Sequence, residues 1–225
     1  MAILSLADAD RAAAEHKLWA ARGRAIQGYA GVEQALCAIL SLCTGTSYSV
    51  AATIFFKITA ARSRNEIIQK LIKKKFGSTY NLFWNSVFKR LRNHLDEQRN
   101  KIVHWSALAT VGGNAEGGMV VDLCLKPASY WDDPLGDFPR LTAEDMIAFE
   151  DECDFYARLI GQFGNIMSGI LDASEDFDKA PWLSIYQLAL EYPNLSTHPH
   201  SQMLSTLQNQ HPASDTSGQP PPSQA

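Results

Sequence analysis

With 225 residues, 46% of them hydrophobic, the chain is long enough for one domain with a real core and short for two. It holds no run of about 18–20 consecutive apolar residues, and Met1–Leu6 lacks a basic leader. Neither a membrane span nor a signal peptide is therefore expected, and the expected location is cytoplasmic. The net charge of −4 conceals an asymmetry, with 12 Lys/Arg against 3 Asp/Glu from Lys57 to Lys101 and 4 against 15 from Asp122 to Glu191. Either the basic half attracts a polyanion, or the two halves pack together and neutralise each other.

In chain order, Leu18, Trp19, Arg22, Ile26, Tyr29, Val32, Leu36, Ile39, Leu40 and Cys43 recur at helical spacing and predict a helix over residues 8–43. Gly23, Gly28 and Gly31 weaken it and mark a place to bend. A second helix is expected over residues 49–75, stopped by Gly77, and a third over residues 79–103 with Trp84, Val87, Phe88, Leu91, Leu95, Gln98 and Ile102 on one side. The period then changes. Trp105–Val111 and Met119–Leu125, separated by a glycine-rich stretch, read as a β-hairpin. Thr142 and Asp145 have capping-box spacing, with Leu141 and Met146 as a hydrophobic staple, and start a helix expected to reach Leu171. Its Gly161, Gly164 and Ser168 permit close approach of a neighbour. A short apolar segment, Trp182–Tyr192, follows.

These elements predict an all-α, up-and-down bundle of four long helices, with a small hairpin inserted before the last, over residues 1–192. Residues 193–225, rich in Pro, Ser and Gln, are expected to be disordered. The four cysteines form no Cys-x-x-Cys pair and read as reduced, mostly buried thiols. His198, His200 and His211 fall in the tail, and neither a metal nor a cofactor is expected.

The chemistry sits where the third helix gives way to the hairpin. There the string Arg99-Asn100-Lys101-Ile102-Val103-His104 joins an always-charged guanidinium to an imidazole, a group that exchanges protons near neutral pH. One grips phosphate oxygens while the other delivers or removes a proton. The string resembles the Arg-x4–6-His signature of the HEPN superfamily, small all-α proteins many of which are metal-independent ribonucleases. The first spacer of that motif is often polar, as Asn100 is. The resemblance implies a bundle fold, Arg99, His104 and Asn100 as catalytic residues, and RNA as substrate. It also implies a symmetric dimer that aligns the motifs of both protomers in one cleft. Where HEPN toxins carry an AMP-accepting tyrosine two positions after the histidine, this chain has Ser106, so that switch is not expected. A different antitoxin or defence-system partner stays open.

With the centre of the third helix's apolar stripe set to zero, an ideal helix puts Arg99 at about 60° and His104, Asn100 and Glu97 at about 160–220°. One chain thus does not join Arg99 to His104 unless the helix unwinds near Ile102; otherwise two chains share the site. Glu33 lies beside the apolar stripe of the first helix and either orients Arg99 across the bundle or faces water. Arg62 is a candidate partner for Glu33 or a second phosphate contact. Lys73, Lys74 and Lys75 with Lys70, and Lys89, Arg90 and Arg92, are candidate RNA-backbone contacts. His94 reads as structural.

The expected function is a metal-independent endoribonuclease in a toxin–antitoxin or anti-phage setting. A non-catalytic HEPN-like module that binds a nucleotide or protein is the alternative. The discriminator is whether Arg99 and His104 converge on an open cleft or face separate environments.

Overall fold

The longest element, helix α1 (Ala2–Thr44), runs alongside helix α6 (Ala143–Met167), its most extensive partner. Leu18, Ala21, Ala25, Val32, Leu36, Ile39 and Leu40 form its buried stripe, the three- and four-residue spacing that places them on one side of a helix. The glycines that mark a possible bend leave α1 uninterrupted. At Gly28 the reason is close packing: a Cβ there would lie 3.3 Å from the Cβ of Cys153 on α6. By length and composition alone, Arg11–Thr44 is apolar enough to cross a membrane, which corrects the reading from consecutive apolar residues. Here its apolar stripe is covered by the rest of the fold.

A computed structural model describes residues 2–113, 119–131, 138–170 and 178–190, all within the unit Met1–Leu190. The hairpin loop and the tail expected to be disordered, with its three histidines, lie outside the described residues.

The single helix expected over residues 49–75 is two helices, α2 (Tyr48–Lys57) and α3 (Ala61–Phe76). Ile58 and Ala60 between them are extended, with ψ of 101° and 109°. The β-branched pair Ile58-Thr59 is a poor helix former, and no glycine or proline announces the break. The third expected helix is continuous but irregular. It comprises α4 (Asn81–Arg90), a π-helical turn (Leu91–Leu95) and α5 (Asp96–His104). The Asp96 amide donates to the Leu91 carbonyl, the i to i+5 bond of a π turn.

Strands β1 (Ser106–Gly113) and β2 (Met119–Lys126) form the expected antiparallel hairpin, with Ser106 opposite Lys126 and Gly113 opposite Met119. Leu125 and Leu141 exchange backbone hydrogen bonds of 2.8 and 3.0 Å, which carries the chain to Thr142. There both halves of the capping box form with Asp145. Helix α6 ends at Met167, short of Leu171, because Gly169 takes φ of +73°, a conformation that costs glycine little and stops the helix. Helix α7 (Ala180–Ile185) brings in Tyr186, whose hydroxyl donates to the Leu159 carbonyl at 3.1 Å. Phe163 gathers Trp84, Phe76 and Tyr186 around it, with ring centroids 5.2, 5.6 and 5.1 Å away, and so joins α4, α3 and α7 to α6. The architecture is mostly α with one small antiparallel sheet.

Candidate functional site

Arg99 lies on the side of α5 that faces α1. Its guanidinium carbon stands 5.7 Å from the centre of the Tyr29 ring, and Nη1 donates to Asn100 Oδ1 at 3.1 Å. One turn earlier, Asp96 accepts a 2.6 Å hydrogen bond from the Tyr29 hydroxyl. Burial raises the Asp96 carboxyl above its ordinary range, against the opposing pull of that bond and of Arg64. The Tyr29 hydroxyl is pushed up as well, first by burial and then by the neighbouring Asp96 charge.

Asp96 and Tyr29 connect the site to a second pair that the sequence did not single out. Glu33 forms an ion pair with Arg64, the two side chains being 17% and 11% exposed. Arg64 also lies over the Phe55 ring at 4.6 Å, and its Nε is buried with no hydrogen-bond partner. The candidate pairing of Glu33 with Arg62 is therefore corrected. Arg62 is 76% exposed and pairs with Glu66 one turn on at 3.0 Å. The break between α2 and α3 resets the helical frame and turns Arg64 inward in place of Arg62.

His104 is exposed at the last position of α5. Arg22 of α1 closes that end of the helix, with Nη2 donating to the Val103 carbonyl at 2.8 Å and to the Trp105 carbonyl at 3.3 Å. Arg22 also stacks on Trp19, 5.2 Å from the ring centre. From Asp96 to His104 the helix is regular, so the unwinding considered near Ile102 is absent; the irregularity lies upstream. Five residues of α-helix turn His104 by about 140° from Arg99. Among the described residues no hydrogen bond joins Arg99 or Asn100 to His104: Arg99 turns toward Tyr29 of α1, whereas Asn100 and His104 are both exposed and lie about 40° apart around the helix.

Lys70, Lys73, Lys74, Lys75, Lys89 and Arg92 are exposed and make no ion pair among the described residues. Arg90 differs from this group. It grips Glu152 of α6 with two hydrogen bonds, Nε to Oε1 at 2.6 Å and Nη2 to Oε2 at 3.1 Å. His94 approaches the same carboxylate, Nε2 to Oε2 at 3.2 Å, and Glu152 is 3% exposed. The expected exposed backbone contact at Arg90 is thus a largely covered ion pair that ties the basic segment to the acidic one, while Arg24–Glu150 and Lys17–Glu144 join α1 to α6.

Sequence reasoning missed Arg64 and Glu152, and it missed the contacts that Arg22 and Asp96 make with other helices. A signal existed for Glu152, a carboxylate spaced three residues from Phe149 and four from Tyr156 on a buried face. Tyr29 was legible only as one more member of an apolar stripe. Among the described residues, no three His, Cys, Asp or Glu side chains converge as a metal-binding group. The arrangement offers an arginine with unused donors, an amide beside it and an exposed imidazole at a helix end. That set suits anion binding with proton transfer when the imidazole comes from a second chain. Compared with known proteins, this chain matches no family model, no curated protein and no solved structure.

Proposed function

We propose that the chain is a metal-independent endoribonuclease of HEPN type whose active site is completed by two protomers. The observation that carries this reading is the string Arg99 to His104 at the end of α5, with Arg99 and His104 on different sides of one helix. In this reading the long helices form an up-and-down bundle of the HEPN kind, with the hairpin inserted before α6. The exposed Trp19 and Ile26, 50% and 40% accessible, flank Arg22 on α1 and offer apolar area for a two-fold contact near His104.

The imidazole of His104 removes the proton of a ribose 2′-hydroxyl, or protonates the leaving 5′-oxygen, of a phosphodiester held by the partner's motif. The 2′-oxygen attacks the adjacent phosphorus and the bond to the 5′-oxygen breaks; water carries the proton transfer that His104 does not, so the products are a 5′-hydroxyl and a 2′,3′-cyclic phosphate. Arg99 forks onto the phosphate oxygens as charge builds, and Asn100 holds Arg99 in place. The exposed lysines of α3, with Lys89 and Arg92, hold the RNA backbone. The setting is cytoplasmic, in a toxin–antitoxin or defence role with an inhibitory partner protein.

Mixing protomers tests the shared site. Arg99→Ala and His104→Ala homodimers are each inactive, whereas a mixture contains heterodimers with one intact site and regains cleavage. A mixture as inactive as its components contradicts the shared-site reading. The engagement of Arg99 by Tyr29 and Asn100, away from His104, favours a second reading, a non-catalytic module in which the Arg99 region binds a nucleotide or protein. Ligand binding that His104→Ala leaves untouched, with no cleavage by wild type, supports that alternative.

A further inference from the structure

We propose that Glu152 is a positioning residue: by holding Arg90 and His94 it fixes the π turn that rotates Asp96 and Arg99 toward α1. The π turn bears on the site through rotation. An i to i+5 turn accommodates one extra residue, so everything downstream is rotated by about 100° relative to an uninterrupted α-helix. Against the apolar stripe of α4 (Trp84, Val87 and Phe88), an uninterrupted helix puts Asp96 at about 120°, on the solvent side, and Arg99 at about 60°. With the extra residue Asp96 falls at about 20° and Arg99 at about −40°. Those are the inward positions from which they meet Tyr29, Asp96 by its 2.6 Å hydrogen bond and Arg99 by its stack.

Two networks bracket the turn. Upstream, Arg90 is the last residue of α4, and His94 lies inside the π turn (Leu91–Leu95). Both bind one carboxylate that is 3% exposed on α6, so both ends of the irregular segment are referenced to the same fixed group. Downstream, Tyr29, Asp96, Arg99 and the Glu33–Arg64 pair fix the frame of α5. The two frames differ by one residue, and the π turn absorbs the difference. The effect on cleavage rests on the ribonuclease reading; the orientation of Asp96 and Arg99 does not.

The test pairs Glu152→Gln with deletion of Asn93, an exposed residue of the π turn. Glu152→Gln keeps the shape but weakens the hold on Arg90. The Tyr29 hydroxyl proton, expected to give a slowly exchanging NMR signal in the wild type, should disappear from the spectrum, and the Asp96 amide should exchange about tenfold faster or more. RNA cleavage should lose about tenfold in kcat with KM within about twofold, the mark of misplaced machinery rather than lost binding. Deleting Asn93 in the same background removes the extra residue, so a plain α-helix then points Asp96 and Arg99 at α1 without a clamp. It should restore both the Tyr29 signal and kcat, which a merely stabilising role for Glu152 would not allow.

A retained Tyr29 signal in folded Glu152→Gln, or no recovery on deleting Asn93 in a folded protein, overturns the proposal. Should Glu152→Gln fail to fold, Arg90→Lys and His94→Gln decide, since each leaves one partner on the carboxylate. An unchanged Tyr29–Asp96 bond in both again overturns it. If wild type cleaves no RNA, the ribonuclease reading falls, and the Tyr29 and Asp96 signals still decide the role of Glu152.

Discussion

Two charged networks stand one helical stretch apart on the α4–α5 segment, and they differ in completeness. At Glu152 a buried carboxylate meets a two-point arginine and a histidine, a closed arrangement in which acceptor and donors answer each other. At Arg64 and Arg99 the donors outnumber the acceptors. Arg64 Nε is buried without a partner, and Arg99 spends one hydrogen bond on its own neighbour, Asn100. Leaving a buried donor unmatched costs about 1–3 kcal/mol, so this network is less completely satisfied than the one at Glu152, although Glu33 and Asp96 balance its two arginines in formal charge. The closed network ties α4 to α6; the open one keeps an unmatched buried donor on Arg64. This contrast separates Arg99 from the similar Arg90 and His94 pair nine and ten residues earlier in the chain, whose side chains share one buried carboxylate.

The contrast can be broken at either end. Glu152→Ala leaves the Arg90 guanidinium and His94 without their carboxylate and should destabilise the protein by about 3–5 kcal/mol, read by urea unfolding. A loss below about 1 kcal/mol would mean that this network is no structural anchor. At the open network, Arg64→Ala strands Glu33 and should cost about 3 kcal/mol. Arg62→Ala, two positions away, removes an exposed pair and should cost less than about 0.5 kcal/mol. Equal effects of the two would erase the distinction between them.

Acidity should act through His94 in a defined direction. Burial lowers its pKa below the ordinary 6.5, opposed by Glu152 and aided by Arg90, so the proton prefers the unfolded chain. Its contribution to stability is therefore full above 6.5 and is lost as the pH falls below that value. Melting temperature followed over that range should decline, and His94→Gln should flatten the decline. An identical slope in wild type and variant would assign the acid sensitivity elsewhere.

The order and type of most elements were legible because they rest on local rules. Three- and four-residue spacing marks α1, alternation and glycines mark the hairpin, and Thr142 with Asp145 marks the start of α6. The π turn was not legible, since the buried positions Leu91 and Leu95 keep an ordinary four-residue spacing that an α-helix also allows. That hidden residue matters for the site, because it turns Asp96 and Arg99 inward where periodicity placed them at the stripe's outer side or border. Likewise the break at Ile58–Ala60 carries no glycine or proline, so the frame that selected Arg62 over Arg64 ran through it unaltered. Arg99, Asn100 and His104 were singled out by residue type and spacing, and the separation of Arg99 from His104 within one chain followed from helix geometry. Arg64, Asp96 and Glu152 are tertiary features, visible only once α1, α3 and α6 are brought against the third helical segment.

The most direct measurement is cleavage of a mixed RNA pool by the full chain in the presence of EDTA, with wild type compared against His104→Ala and Arg99→Lys in preparations of equal stability. Wild type should cut and leave 2′,3′-cyclic phosphate ends, and His104→Ala should not cut. Arg99→Lys should lose most activity, because an ammonium does not reproduce the planar two-point contact with phosphate. Wild-type activity no higher than that of His104→Ala, or activity that appears only with added divalent metal, would contradict the account.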